Sequence, residues 1–204
     1  MLKEGQVRIP SGCAIAAIID RKGGKINGSE IIKSIALMHD RSNGLGGGFA
    51  AYGIYPEHAD DYAFHVFYES AAAKNECEDF LFKHFNVDVS EKIPTKKVES
   101  IANGPDIWRY FAKPNKVRMK EARMDEEEYT VQCVMRVNQH IDGAFIFSSG
   151  KTWLFKAVGF PEDVGEFYML DQYDAYLWTA HGRFPTNTPG WWGALTRSIF
   201  WIGQ

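Results

Sequence analysis

Cys13 is the side chain in this sequence best placed to do covalent chemistry. It stands in Pro10-Ser11-Gly12-Cys13-Ala14-Ile15-Ala16-Ala17-Ile18-Ile19, at the head of an apolar, strand-like run and behind a short polar leader. Ser11-Gly12 is a flexible, cleavable approach. Were residues 1–12 removed, Cys13 would become the chain's N-terminus, and an α-amine of pKa about 8 is close enough to neutrality to serve as base for its own thiol. Nucleophile and base would then belong to one residue, with no catalytic histidine required. The alternative is packing, since free cysteine is among the most buried residue types and the run behind Cys13 reads as core. None of the six histidines is spaced as a partner for Cys13. His181, in His181-Gly182-Arg183, is the one beside other candidate site residues, and a structural place at a strand end accounts for it equally well.

Other chemistries fail on spacing. Cys13, Cys77 and Cys133 lie far apart without a Cys-x-x-Cys or Cys/His pattern, so neither a metal site nor a disulfide framework is expected, and a reducing cytoplasm fits best. In Gly44-Leu45-Gly46-Gly47-Gly48-Phe49 the third glycine of a dinucleotide fingerprint would fall at Phe49, and the stretch follows a helix instead of a strand. Ser149-Gly150-Lys151-Thr152 resembles the tail of a phosphate-binding loop, but the upstream glycine it needs is replaced by Phe145. Pro10-Ser11-Gly12-Cys13 resembles the end of a lipoprotein signal; Lys3, Glu4, Gln6 and Arg8 occupy the place of the apolar segment such a signal requires.

Composition narrows the class further. The 204 residues suffice for one domain burying about 70% of its unfolded surface. With 23 basic against 26 acidic residues and no basic tract, the chain offers no footprint for nucleic acid or an anionic membrane, and no run approaches the ~18 apolar residues of a membrane span. Small molecules and proteins are the expected partners.

The elements that must position Cys13 alternate between strand and helix. Cys13 to Ile19 reads as a buried strand turned by Gly23-Gly24; Ser29 then caps a helix with Ile31, Ile32, Ile35, Ala36 and Met38 on its apolar face. Phe49 to Tyr55 and Tyr62 to Tyr68 read as a hairpin about Pro56 to Asp61. Ser70 caps a helix to about Phe85. From Asn86 to Arg123 the chain is charged and broken by prolines around a strand-like Ile107 to Phe111. A helix from Asp125 to about His140 precedes a second hairpin, Ala144 to Ser148 with Thr152 to Val158. Pro161 opens a short helix, and Ala175 to Ala180 forms a last strand that delivers His181-Gly182-Arg183 at its end. Strands in hairpins with helices between them predict an α+β layered domain.

Three segments taken together, Ser11-Gly12-Cys13, Arg41-Ser42-Asn43-Gly44-Leu45-Gly46-Gly47-Gly48 and His181-Gly182-Arg183-Phe184-Pro185-Thr186-Asn187-Thr188, resemble the class II glutamine amidotransferases. The likeness is nearest to the stand-alone glutaminase subunit of archaeal-type glutamate synthase and runs from about Ser11 to Gly193. It implies a four-layer αββα N-terminal-nucleophile hydrolase fold over residues 13–194 and removal of a leader, 1–12. It further implies that Cys13 attacks the side-chain amide of L-glutamine, releasing ammonia and then glutamate through a thioester. Arg183 matches the family arginine that grips the substrate α-carboxylate, a task suited to a planar guanidinium fork. Thr186 and the Gly182 backbone line that pocket by the same comparison, and Arg41 matches an arginine bracing the nucleophile's surroundings; a solvated surface charge is the plainer reading of Arg41. No cofactor is implied on this chain. Flavin and iron–sulfur centres would belong to a synthase subunit that receives the ammonia.

The resemblance breaks off after Trp191-Trp192-Gly193, where the family continues through a histidine-proline-phenylalanine stretch to an asparagine-glycine oxyanion pair and a later acidic residue. Leu195 to Gln204, back-translated and read two bases later, can spell His-Pro-Phe-Asn-Ile-Leu-Asp-Trp-Ser. The expectation is therefore a partial domain, incomplete at its C-terminus, with an aberrant 195–204 tail from a shifted reading frame. Loss of even one oxyanion donor costs about 10²- to 10³-fold in turnover, so weak or no glutamine hydrolysis is expected of the chain as written. An inactive remnant or a binding-only partner of the synthase, and an N-terminal-cysteine hydrolase of another amide, are the alternative functions.

Overall fold

A computed structural model describes residues 13–101, 103–150, 153–182 and 192. In chain order it forms β1 (Ala14–Ile19), β2 (Ile26–Asn27), α1 (Gly28–Ala36), β3 (Gly47–Tyr52), β4 (Tyr62–Tyr68), α2 (Ala71–His84) and β5 (Phe85–Lys92). There follow β6 (Asp106–Pro114), α3 (Lys116–Ala122), α4 (Glu126–His140), β7 (Ala144–Gly150), β8 (Trp153–Ala157), α5 (Pro161–Phe167), β9 (Asp174–Ala175) and β10 (Leu177–Gly182). The fold is mixed α+β with antiparallel sheets. None of its described helices is long and apolar enough to cross a membrane.

One four-stranded sheet has the order β1-β10-β3-β8, a second β5-β6-β4-β7, and β2 pairs with β9 in a small ribbon. Helices α1 and α5 cover one face of the first sheet, where Ala14, Ala16, Phe49 and Ala180 meet Ile31, Ile35 and Val164. Helices α2 and α4 cover one face of the second, where Phe64, Val66, Tyr110 and Ile146 meet Leu81, Cys133 and Val137. The second sheet's other face, carrying Ala63, Phe67, Ile107 and Phe111, joins the first sheet's core beside Trp153 and Phe155 of β8. Side chains of the second sheet also satisfy β8's free edge: the Leu154 N–H donates to Ser148 Oγ at 3.2 Å, and the Leu154 carbonyl accepts from His65 Nδ1 at 2.8 Å. An edge strand's unpaired polar groups are costly to bury, and these two bonds remove that cost where the sheets meet.

Both expected hairpins are instead crossings between sheets. β3 lies between β10 and β8 in the first sheet, whereas β4 pairs with β6 and β7 in the second. β7 and β8 separate in the same way. Alternating hydrophobicity specifies a strand and its buried face but says nothing of the partner, and here the turn chemistry redirects the chain: Gly53 takes φ 78° and Pro56–His58 a 3₁₀ turn between β3 and β4.

Caps set the helix starts. Ser70 Oγ accepts from Ala73 N–H, and Asp125 from Glu128 N–H ahead of three acidic residues that favour the positive end of α4. The cap of α1 is Asn27, two residues before the expected Ser29. Its Oδ1 accepts from Ser29 N–H at 3.0 Å while its Nδ2 donates to Asp171 O at 2.9 Å and Asp174 Oδ1 at 3.0 Å. One amide thereby starts the helix and ties it to β9. Gly28 follows because a Cβ there would sit 2.0 Å from the Leu170 carbonyl oxygen. The prolines of 86–123 conceal a strand, β5, directly after α2; Phe85 and Val87 pack under the helices, and a register shift after Val87 sends Val89 to the other core cluster.

Candidate active site around Cys13

Cys13 immediately precedes β1 and is half-buried. Cys77 and Cys133 lie on the buried faces of α2 and α4, where burial pushes each thiol up to about 11, which makes them inert packing residues.

The register places glycines where Cys13's strand enters the sheet. Ala14 pairs with Gly182 and Gly182 with Gly47, which in turn pairs with Ala157. This row of minimal side chains lets Pro161, the first residue of α5, rest on the sheet. A Cβ on Gly182 would lie 2.9 Å from Pro161 Cγ, 3.3 Å from Ala14 Cβ and 3.4 Å from Ser42 Cβ; one on Gly47 would lie 2.8 Å from Pro161 Cα. The strand start after Cys13, the end of β10 and the Arg41 segment therefore converge at one point. Of the residues expected from sequence, Gly182 itself is brought together with Ala14 and Ser42, the immediate neighbours of Cys13 and Arg41. Arg183 and Thr186 lie outside the described residues, as do the 1–12 leader and the 195–204 tail.

Arg41 is solvent-exposed at the end of the one-turn helix His39–Arg41. Its segment is held to α5 by an ion pair between His39 Nδ1 and Glu162 Oε1, and by the His39 ring stacked 4.2 Å from Phe160. Glu162's hydrogen bond raises the His39 pKa above its ordinary value. Asn43 Oδ1 accepts from Leu45 N–H at 3.1 Å, closing the turn before Gly44, whose φ of 69° suits glycine. Arg41 thus stands on a braced loop beside the site while its own side chain faces water.

On the sheet face opposite α1 and α5, the next row reads Ile15, His181, Gly48, Lys156 across β1, β10, β3 and β8. Cys13, two residues before Ile15, shares this side by the alternation of the strand. Lys156 is only 3% exposed, and burial pulls its ammonium down to about 8. Burial first, and the Lys156 charge second, lower the His181 pKa. The face opens toward β1, where Ile15 is 66% and Ile19 57% exposed. Lys156 went unnoticed in the sequence; the signal was a lone charge inside the apolar run Trp153 to Ala157. His65 lies deeper, fully buried and held neutral by burial with a pKa of about 3.

A separate group, His58, Asp61 and Asp88, holds its ligand atoms within 4.8 Å of one another and has the donor set for a cation. Asp61 there already accepts from His58 at 2.8 Å and pairs with Lys113 at 3.3 Å.

An uncharacterized protein of Archaeoglobus fulgidus is 47% identical to this chain over 185 residues, which cover 89% of the chain and 49% of that protein. The chain spans about half the length of this relative. No family model matches the chain, and no solved structure does.

Proposed function

We propose that the chain is the glutaminase domain of a class II glutamine amidotransferase, with an N-terminal-nucleophile hydrolase fold, acting with a glutamate synthase partner subunit that carries the flavin and iron–sulfur chemistry. The observation that carries the reading is the convergence of the Cys13 strand start, Gly182 at the end of β10, and the braced Arg41 segment. These come from the three segments whose resemblance suggested the family, and they lie far apart in sequence. Two antiparallel sheets, each covered by its own pair of helices, are compatible with that fold. Cys13, freed of its leader, attacks the glutamine side-chain amide; Arg183 holds the α-carboxylate, Thr186 and the Gly182 backbone line its pocket, and Arg41 supports the surrounding loop. Glutamyl thioester forms, ammonia leaves, and water returns the thiol.

The test is mass mapping of a glutamine-like diazoketone on Cys13, alongside release of glutamate and ammonia from L-glutamine, expected to be weak in the chain as written, with L-asparagine as control. Cys13-specific labelling and glutamate formation abolished by Cys13→Ala support the reading. Labelling that ignores Cys13, or equal turnover of asparagine, sinks it. Intact mass then decides the α-amine's role: active protein that still carries residues 1–12 excludes it as the base.

A second reading, a binding-only partner of the synthase, draws on the exposed Ile15 and Ile19 of edge strand β1. An apolar sheet edge of this kind suits strand addition by another polypeptide.

A further inference from the structure

We propose that the groove between α2, α3 and α4 is a binding site for a small aromatic carboxylate, held through its anion by Arg118 and Arg136 and through its ring by the wall that Phe80 and His84 form. The site lies on the outer side of the second sheet, whereas Cys13 leads into the first, and the proposal stands independently of the glutaminase reading.

The groove encloses about 560 Å³, a volume suited to a small molecule. Part of its lining is apolar: Phe80 and Met124 pack against the core beneath the helices, Cys133 is buried, and Met135 is 40% exposed. Along one wall the Phe80 and His84 rings stack 4.3 Å apart, and the Arg136 guanidinium stands 5.9 Å from the centre of the Phe80 ring. A flat ring extends such a stack. Among the described residues neither Arg118 nor Arg136 makes an ion pair, whereas Arg109 is matched by Glu91 and Lys113 by Asp61. Glu121 is the one carboxylate among the lining residues. Two guanidinium groups against one carboxylate leave a single positive charge, which fits a monoanion better than a phosphate dianion, and arginine's planar fork matches the two oxygens of a carboxylate.

His84 adds a further donor. Burial pushes the Tyr129 hydroxyl up to about 12, so Tyr129 keeps its proton and donates it to His84 Nδ1 at 2.7 Å. Burial first, and then the charges of Arg118, Lys83 and Arg136, lower the His84 pKa. The neutral ring therefore carries its N–H on Nε2, which has no acceptor among the described residues. The charged and titratable groups around it are Lys83 of α2, Arg118 and Glu121 of α3, and Tyr129, Cys133, Arg136 and His140 of α4. An anion settling among them favours the imidazolium and raises the His84 pKa, so His84 reports on occupancy of the groove.

The experiment titrates naphthoate into the full chain and follows the His84 ring protons by NMR. Naphthamide, with the same rings and no charge, and inorganic phosphate, with charge and no ring, are the comparators. Naphthoate is expected to shift the His84 signals saturably and to move their titration midpoint to higher pH, while naphthamide and phosphate bind about 10-fold or more weakly. Arg136→Gln is expected to weaken naphthoate about 10-fold or more and to leave naphthamide within about 2-fold. Arg118→Gln carries the same test from α3 should Arg136→Gln fail to fold. Equal affinity for naphthoate and naphthamide, naphthoate binding untouched by either substitution, or a His84 midpoint that stays in place overturns the proposal. Phosphate binding as tightly as naphthoate overturns it too, since the groove would then take anions without a ring. Labelling of Cys13 tests the glutaminase reading separately, so either can fail alone.

Discussion

Gly182→Ala and Gly47→Ala probe whether the convergence beside Cys13 is as tight as it looks. Neither glycine has a positive φ, so alanine fits the backbone at both positions. Such a change normally stabilises by about 0.4–1 kcal/mol, because the unfolded chain loses freedom. Packing opposes it here. The new methyl of Gly182→Ala would lie 2.9 Å from Pro161 Cγ, and that of Gly47→Ala 2.8 Å from Pro161 Cα, where carbon atoms prefer roughly 3.5–4.0 Å. Overpacking of this kind costs about 1–3 kcal/mol, leaving a net loss of up to about 2.6 kcal/mol after the entropic gain. For a domain of this size that lowers Tm by up to roughly 10 °C. Gly47→Ala should be the worse of the two, since it meets backbone where Gly182→Ala meets a ring carbon. The double variant should cost at least about 0.5 kcal/mol less than the sum, because one displacement of Pro161 relieves both clashes. Urea denaturation of the four proteins measures all of this. A stabilised single variant, or strict additivity, would refute the claim that α5 rests directly on this glycine row.

Two pH effects follow from the same neighbourhood. The His39–Glu162 pair raises the His39 pKa, so its contribution is complete below the ordinary histidine value of 6.5 and is lost as pH rises through the elevated folded value. A proton-NMR titration should place the His39 midpoint above 6.5 and see it drop in Glu162→Gln, with a small stability effect because solvent screens so exposed a pair. Lys156 acts in the opposite sense: its folded pKa of about 8 lies below the ordinary 10.5, so its charge penalises the fold below about pH 8 and the penalty disappears as pH climbs toward 10.5. Denaturation curves of Lys156→Met should lack that rise relative to the unsubstituted chain; parallel pH profiles would show that the ammonium is not desolvated.

Strand and helix existence was legible wherever local chemistry decides it. The Cys13–Ile19 run, the Ser70 and Asp125 caps, and Pro161 at a helix start all encode their conformation within a few residues. Partner choice was not. Phe49–Tyr55 and Tyr62–Tyr68 have the alternation of a hairpin, yet the β10 and β8 edges claim β3 while β6 and β7 claim β4. The cap of α1 moved to Asn27 because that amide also bonds Asp171 and Asp174, residues nearly 150 positions away.

Read along the chain, a thiol begins an apolar strand, a glycine-rich segment follows the first helix, and His181-Gly182 closes a strand. These are properties of residue type and neighbour order. It takes the paired sheets to establish that Ala14 meets Gly182 across β1 and β10, that Pro161 sits on Gly47 and Gly182, and that His181 and Lys156 share one side of the sheet with Ile15. Register is a long-range property. It emerges from packing both sheets at once, and no window of the chain contains it.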